Sequence, residues 1–100
     1  MHQSATVRVC RADYGDPVHM QALIELLDGY ARDPAGGGEP LSQFAKSHLS
    51  AALRERAYVF SVLAFDDTNN RLPVGLVNCV EGFSSFACRP LVNVHDVVVL

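Results

Sequence analysis

The pattern of apolar and polar residues divides the chain into alternating and helical segments. Residues 6–11 (TVRVCR) alternate with period two, which predicts a first strand with Val7 and Val9 on one side and Cys10 on the other. A helix is predicted from Asp16-Pro17 to about residue 31. The Asp side chain can accept hydrogen bonds from the unpaired backbone N–H groups of the first turn, and Pro at the first helical position loses no helical hydrogen bond. Its apolar residues form one core-facing stripe: Met20, Leu23, Ile24, Leu27, Tyr30 and Ala31.

Three consecutive glycines between Pro34 and Pro40 predict a loop, since neither helix nor strand tolerates this composition. The glycine run follows a helix and lacks a Lys-Ser/Thr pair, so a loop beside a substrate pocket is favoured over a phosphate-binding loop. Ser42 is then predicted to cap a second helix that ends near Arg56. One face of that helix carries its apolar repeat: Ala45, Leu49, Ala52 and Leu53.

Three further strands are predicted at residues 58–65, 74–82 and 91–100. The first of them is apolar on both alternate faces, as expected for a central strand covered on both sides. The polar segment 66–73 makes the first two an antiparallel hairpin, and 83–90 is predicted to be a loop. The order indicates a single α+β domain over residues 1–100. It has a mixed, mainly antiparallel sheet and two helices between the first and second strands.

The last strand ends in four consecutive apolar residues, Val97 to Leu100. If all four side chains stayed in water, about 6 to 12 kcal/mol of burial free energy would be lost, at ~1.5 to 3 kcal/mol each. An exposed apolar edge also invites pairing with another chain. We therefore expect an incomplete domain whose last strand is covered by a second copy or by further sequence.

Composition narrows the classes of function. Acidic residues outnumber basic ones, with a formal charge of −3, so nucleic acid is not an expected partner. No apolar run approaches the ~20 residues of a membrane span. The first ten residues lack a secretory apolar segment, and the cysteines Cys10, Cys79 and Cys88 are odd in number. We expect a cytoplasmic protein with reduced, mostly buried thiols. No metal site is expected, because His2, His19 and His48 lack ligand spacing.

Two ionisable residues, His95 and Asp96, interrupt the apolar last strand. Regular alternation would send them to opposite faces, which argues against a catalytic dyad. His95 is a candidate base at neutral pH or a hydrogen-bonded histidine at a strand end. Glu81 is a candidate base or cation-binding group, or an ordinary solvated carboxylate. Tyr30 either points its hydroxyl into a pocket or packs in the core.

The order of elements and the strings VGLVNCVEGF and NVHDVVVL resemble the first half of the GNAT superfamily of N-acetyltransferases. The resemblance covers nearly the whole chain. In that family the fourth strand leads into an R/Q-x-x-G-x-G/A turn that opens a helix and holds the pyrophosphate of acetyl-CoA. That turn would fall beyond Leu100, so the resemblance implies that these residues are the substrate-side half and bind acetyl-CoA poorly alone.

The resemblance also implies roles for individual residues. Val97, Val98 and Val99 match the stretch whose backbone binds the pantetheine arm and polarises the thioester carbonyl. His95 and Glu81, in that order, are the implied bases, and Tyr30, Glu81 and His95 would line the site for a primary amine of a small molecule. Two alternatives stay open: a non-enzymatic interaction module that dimerises through its last strand, and a ligand-binding α+β domain without acetyl chemistry.

Overall fold

The computed structural model describes residues 6–100, and His2 therefore lies outside the described residues. The predicted order of elements is confirmed, with one short 3₁₀ turn at Pro34–Gly36 inside the predicted glycine loop. The principal elements are β1 (Val7–Arg11), α1 (Pro17–Arg32), α2 (Gln43–Arg54), β2 (Val59–Asp66), β3 (Leu72–Ser84) and β4 (Arg89–Val99).

The four strands form one sheet in the order β1-β2-β3-β4, and each neighbouring pair is antiparallel. The predicted α+β class with a mainly antiparallel sheet is thus confirmed. β3 and β4 are longer than predicted, because they continue to pair through Phe83↔Pro90 and Ser84↔Arg89. The predicted loop at 83–90 shrinks to a turn at 85–88, and a two-stranded ribbon extends past the end of β2.

Both helices begin where their capping residues predict. A carboxylate oxygen of Asp16 accepts a hydrogen bond from the Val18 backbone N–H at 2.8 Å, and Pro17 is the first residue of α1. The hydroxyl of Ser42 accepts from the Ala45 backbone N–H at 3.0 Å and opens α2. α2 ends at Arg54, two residues before the predicted position.

The core lies between the helices and one face of the sheet. Leu23 and Leu63 are fully buried, and the α1 stripe is centred on Leu23. Three α1 residues outside the predicted stripe are also buried, namely Ala22, Leu26 and Asp28. Tyr30 is 37% exposed instead of packed in the core. The core residues are Met20, Ala22, Leu23, Leu26, Leu63, Phe65, Leu76 and Val98, with Leu49 and Leu53 of α2 packed against them.

The other face of the sheet has no helical layer among residues 6–100. Val7, Val9 and Val97 are each more than half exposed, and Val99 is 80% exposed. The expectation that β2 would be covered on both sides is therefore not met by the described part of the chain. Of the four apolar residues that end the sequence, only Val98 turns toward the core.

The described cysteines are free. Cys79 is buried, Cys10 is half-buried, and Cys88 is exposed in the turn between β3 and β4. The expectation of mostly buried thiols is therefore wrong, since only one of the three is buried. Neither described helix is long and apolar enough to cross a membrane.

Candidate functional site

A cavity of about 200 Å³ lies between the helices and the sheet, at the end of α2 and the beginning of β2. Most of its wall is apolar, and polar groups converge from β2, β3 and β4. Small-molecule sites have this composition, with a few placed polar groups in a hydrophobic wall. The residues that line it are Tyr14, Leu27, Leu49, Leu53, Val59, Phe60, Ser61, Asn78, Cys79, Val80, His95 and Asp96.

A chain of hydrogen bonds crosses this cavity. Ser61, Asn78 and Asp96 are direct cross-strand partners on β2, β3 and β4, so their side chains stand in one row. The Ser61 hydroxyl donates to Asn78 Oδ1 at 2.6 Å, and Asn78 Nδ2 donates to Asp96 Oδ2 at 3.2 Å. The Tyr14 hydroxyl lies 2.8 Å from Ser61 Oγ. It must be the donor there, because Ser61 has one hydrogen and already gives it to Asn78.

The hydrogen bonds of this series all run in one direction. Every hydrogen bond points from Tyr14 toward Asp96, and the carboxylate is the terminal acceptor. Tyr14 is held in place from α2, because the Ser50 hydroxyl donates to its carbonyl oxygen at 2.9 Å. A chain of like-directed bonds polarises its members cooperatively. It therefore orients the Asp96 carboxylate within the cavity wall.

His95 joins Asp96 on the wall of this same cavity. The expectation that the two residues face opposite sides assumed regular alternation, and a β-bulge overturns it. Asn78 pairs with Asp96 and Cys79 with Val94, which leaves His95 as an extra, unpaired residue on β4. An extra residue breaks the period of two and re-aims the side chains around it.

Tyr30 and the last strand meet in a second cavity of about 340 Å³. Its wall combines the end of α1 with the end of β4. The structure thus brings the predicted residue Tyr30 together with the predicted cofactor-binding segment. The residues that line it are Gly29, Tyr30, Asp33, Val97, Val98, Val99 and Leu100.

Glu81 lies apart from both groups. It lines a third, open depression with Ala57, Tyr58, Gly82, Phe83 and Pro90, and its backbone N–H donates to the Tyr58 carbonyl at 2.7 Å. The two candidate bases therefore do not share a cavity. Their catalytic roles remain predictions.

A buried carboxylate joins the two helices near the second cavity. Asp28 accepts a hydrogen bond from the Leu41 backbone N–H at 2.9 Å, and its other oxygen lies 3.2 Å from Arg32 and 3.5 Å from Lys46. The hydrogen bond from Leu41 lowers the pKa of Asp28. Burial raises the pKa, and the nearby cations Arg32 and Lys46 lower it further. The net result is a pKa of Asp28 below the ordinary value of 3.8.

Three of the polar residues in the first cavity were not singled out from the sequence: Tyr14, Ser61 and Asn78. A usable signal exists for two of them, because Ser61 interrupts YVFSVLAF and Asn78 interrupts VGLVNCV. A polar residue inside a buried strand requires a hydrogen-bond partner, and adjacent strands supply it. The sequence does not give the register that makes them partners.

The chain's residues fit part of an acyl-coenzyme A ligand. Within residues 6–100 β4 is an edge strand, so alternate backbone N–H and C=O groups of Val97 to Val99 have no strand partner there. These groups can pair with the amides of an extended pantetheine arm. Neither described helix opens with a glycine-rich turn, since α1 follows Asp16-Pro17 and α2 follows Ser42. Within residues 6–100 no three His, Cys, Asp or Glu side chains form a metal-binding group.

No protein-family model matches the sequence, and no curated protein matches it. Solved structures do. A probable acetyltransferase superposes with a TM-score of 0.70 at 23% identity, over 92% of this chain and 56% of that protein. A GNAT family acetyltransferase from Staphylococcus aureus gives 0.67 at 12% identity, over 93% and 62%. A ribosomal-protein-alanine N-acetyltransferase from Brucella melitensis biovar Abortus gives 0.66 at 15% identity, over 94% and 56%.

These likenesses establish the fold. The chain has part of the GNAT acetyltransferase fold, as the resemblance in its sequence predicts, and it spans 56% to 62% of the length of these three structures. At identities of 23% or less, they do not carry activity or substrate over to this chain.

Proposed function

We propose that this chain is the substrate-side half of an N-acetyltransferase, which transfers an acetyl group from acetyl-CoA to a primary amine of a small molecule. The observation that supports this most is the superposition of 92% to 94% of the chain on acetyltransferases. The two cavities along β4 give the proposal a site.

The backbone of Val97, Val98 and Val99 would hold the pantetheine arm along the edge of the sheet. Acetyl-CoA supplies an acetyl group activated as a thioester. A backbone N–H of this segment would donate to the thioester carbonyl and stabilise the negative charge that develops there, an effect worth about 3 to 4 kcal/mol in comparable sites. Tyr30 would close the same cavity from the end of α1.

His95 is the proposed base, with Glu81 second. An alkylammonium must lose a proton before its nitrogen can attack, and imidazole accepts protons near neutral pH. His95 lines the first cavity beside Asp96, and it lies two residues before Val97, which lines the second cavity. β4 therefore carries His95 close to both cavities. Glu81 would act through water, because it lines a different depression.

Titration calorimetry with acetyl-CoA tests the proposal, on this chain and on a longer product of the same gene. We expect the longer chain to bind acetyl-CoA and to acetylate amines, and this chain to bind weakly, because its helices offer no glycine-rich phosphate grip. In the longer chain, His95→Ala should lower kcat/KM by about 100-fold or more and alter its pH profile. A longer chain that neither binds acetyl-CoA nor transfers acetyl would refute the proposal.

The second candidate is an interaction module that dimerises through β4. It is favoured by the position of β4 at the edge of the sheet, with Val99 80% and Leu100 78% exposed. A module of this kind would be dimeric and would bind no acetyl-CoA at any chain length. The same titration therefore separates the two functions.

We also propose a cytoplasmic location for the protein. Its thiols support this, since all three cysteines are free and secreted small domains depend on disulfides. Residue-specific alkylation of protein isolated under quenching conditions would test it, with reduced Cys10 and Cys88 as the expected result.

A further inference from the structure

We infer that Asp96 selects the substrate: its carboxylate receives the ammonium group of a small, singly charged amine whose hydrocarbon part occupies the first cavity. This inference rests on the proposed function, because it names the substrate class of the same site. It is carried by the composition of the cavity wall, the hydrogen bonding of Asp96 and the size of the cavity.

The wall requires a ligand that is mostly hydrocarbon. Leu27, Leu49 and Leu53 project from the helices, and Val59, Phe60 and Val80 come from the sheet. A polar ligand group placed against these side chains would lose its hydration without gaining a hydrogen bond, at a cost of about 1 to 3 kcal/mol. An alkyl or aryl group pays no such penalty and gains burial.

Asp96 is the sole carboxylate on this wall, and neither Lys nor Arg lines the described cavity. Its side chain is half-buried and accepts one hydrogen bond among the described residues, from Asn78 Nδ2. An ionised carboxylate accepts about four hydrogen bonds. A charged group in an apolar wall needs a cation or further donors, and a primary ammonium offers both in three N–H groups.

The hydrogen bonds between Tyr14, Ser61 and Asn78 use the hydroxyl donors that could otherwise hold a ligand. The Tyr14 hydroxyl donates to Ser61, and Ser61 donates to Asn78, so both hydrogens are already committed. The Asn78 amide is turned with its nitrogen toward Asp96, which fixes the carboxylate as the acceptor end. The cavity therefore presents one well-oriented anionic site that favours an ammonium over a hydroxyl group.

Size limits the ligand further. A cavity of about 200 Å³ is smaller than the ~300 to 1,000 Å³ pockets that hold drug-sized molecules. A polyamine would place a second ammonium against the leucines, and an aminoglycoside or a peptide would exceed the volume. A monoamine with a short alkyl chain or one aromatic ring fits these constraints.

Calorimetric titration of this chain with n-hexylamine, n-hexanol and spermidine tests the inference without acetyl-CoA. We expect n-hexylamine to bind at least about tenfold more tightly than n-hexanol or spermidine, the difference expected for a charge-assisted hydrogen bond. Asp96→Asn should lose at least about tenfold in affinity for n-hexylamine and leave n-hexanol unchanged. A purely structural role of Asp96 would weaken both ligands together.

Asp67→Asn is the matched control, because Asp67 pairs with exposed Arg8 at 3.2 Å and does not line the cavity. It should bind n-hexylamine like the parent chain. If Asp96→Asn does not fold, two-dimensional NMR of the ¹⁵N-labelled parent chain replaces it. Addition of n-hexylamine should shift the side-chain amide signals of Asn78 and the backbone signals of His95 and Asp96.

Equal affinity for n-hexylamine and n-hexanol, unchanged affinity in Asp96→Asn, or NMR shifts confined to other regions would each overturn the inference. The outcomes also separate it from the proposed function. Amine selection by Asp96 without any acetyl transfer by the longer chain would refute the function alone. Acetyl transfer that Asp96→Asn leaves unchanged for every amine would refute this inference alone.

Discussion

Ser61 shows how much a single buried hydroxyl contributes in this molecule. It is 1% exposed, donates to Asn78 and accepts from Tyr14. Ser61→Ala would leave both neighbours without their partner, and we expect the free energy of unfolding to fall by about 1 to 3 kcal/mol. Urea denaturation measures this, with Ser47→Ala on the exposed face of α2 as a control expected within about 0.5 kcal/mol of the parent. Equal stability of the two variants would contradict the hydrogen-bond chain.

Asp28 gives the chain a pH-dependent stability. Its pKa is lowered when folded, chiefly by the Leu41 backbone N–H. A depressed carboxyl pKa stabilises the fold above the unfolded pKa of about 4, and this contribution is lost as the pH falls through the folded value. We expect the melting temperature of the parent chain to decrease when the pH is lowered below about 4. Asp28→Asn should be less stable than the parent near pH 7 and should lose less stability on acidification.

Circular dichroism melts between about pH 3 and pH 7 test this prediction. Asp67→Asn is the control, since its exposed pair with Arg8 contributes little to stability. An Asp28→Asn chain that loses as much stability in acid as the parent chain would show that Asp28 does not carry the effect.

At the scale of elements, the end of α1 depends on one glycine. The Gly36 backbone passes so close to the Tyr30 carbonyl that an added Cβ would overlap its oxygen, and this contact is to backbone that cannot turn aside. Gly36→Ala should lower the melting temperature by several degrees, as a strained backbone contact of about 1 to 3 kcal/mol does in a domain of this size. It should also displace Tyr30 from the second cavity.

Gly29→Ala is the matched control within α1, because nothing lies within 4 Å of its added Cβ. A helical Gly→Ala change should raise stability by up to about 1 kcal/mol. Thermal unfolding of both variants measures the contrast. Similar melting temperatures for the two would mean that the approach of Gly36 to Tyr30 is not a constraint.

The helices and the strand order were predictable, but the irregularities of the strands were not. Asp16, Pro17 and Ser42 act within a few residues of themselves, so their capping can be predicted from sequence. The bulge at His95 depends on the pairing of β4 with β3, a contact between distant segments. Alternation in the sequence therefore predicted opposite faces for His95 and Asp96, and the structure places both at one cavity.

At the scale of the whole molecule, the described chain is elongated. Its radius of gyration is 15.1 Å, against about 13 Å for a compact domain of 100 residues. The ribbon of β3 and β4 beyond β2 contributes to this, and so does a sheet with helices on one face only. The family resemblance predicted the fold, but not that Tyr30 shares a cavity with Val97 to Val99. It did not predict the cavity around Asn78, because side-chain rows across strands follow from register.

The exposed end of β4 should make the 100-residue chain self-associate. Val97 is 54% and Val99 80% exposed on an edge strand, and unpaired strand edges with apolar side chains template pairing with another chain. We expect light scattering to give a mass above the 10.9 kDa of the monomer at high micromolar concentration. Val99→Lys should restore 10.9 kDa without loss of melting temperature, since a lysine on an edge strand opposes pairing.

Val18→Lys is the matched control, because Val18 is 56% exposed and belongs to α1 rather than to β4. It should leave the association unchanged, so that the effect of Val99→Lys is assigned to β4 rather than to added charge. A parent chain that stays at 10.9 kDa, or equal effects of the two lysines, would contradict pairing through β4. The pantetheine arm of acetyl-CoA and a second β4 would compete for the same strand edge. A dimer that acetyl-CoA fails to dissociate would therefore favour the interaction module over the acetyltransferase.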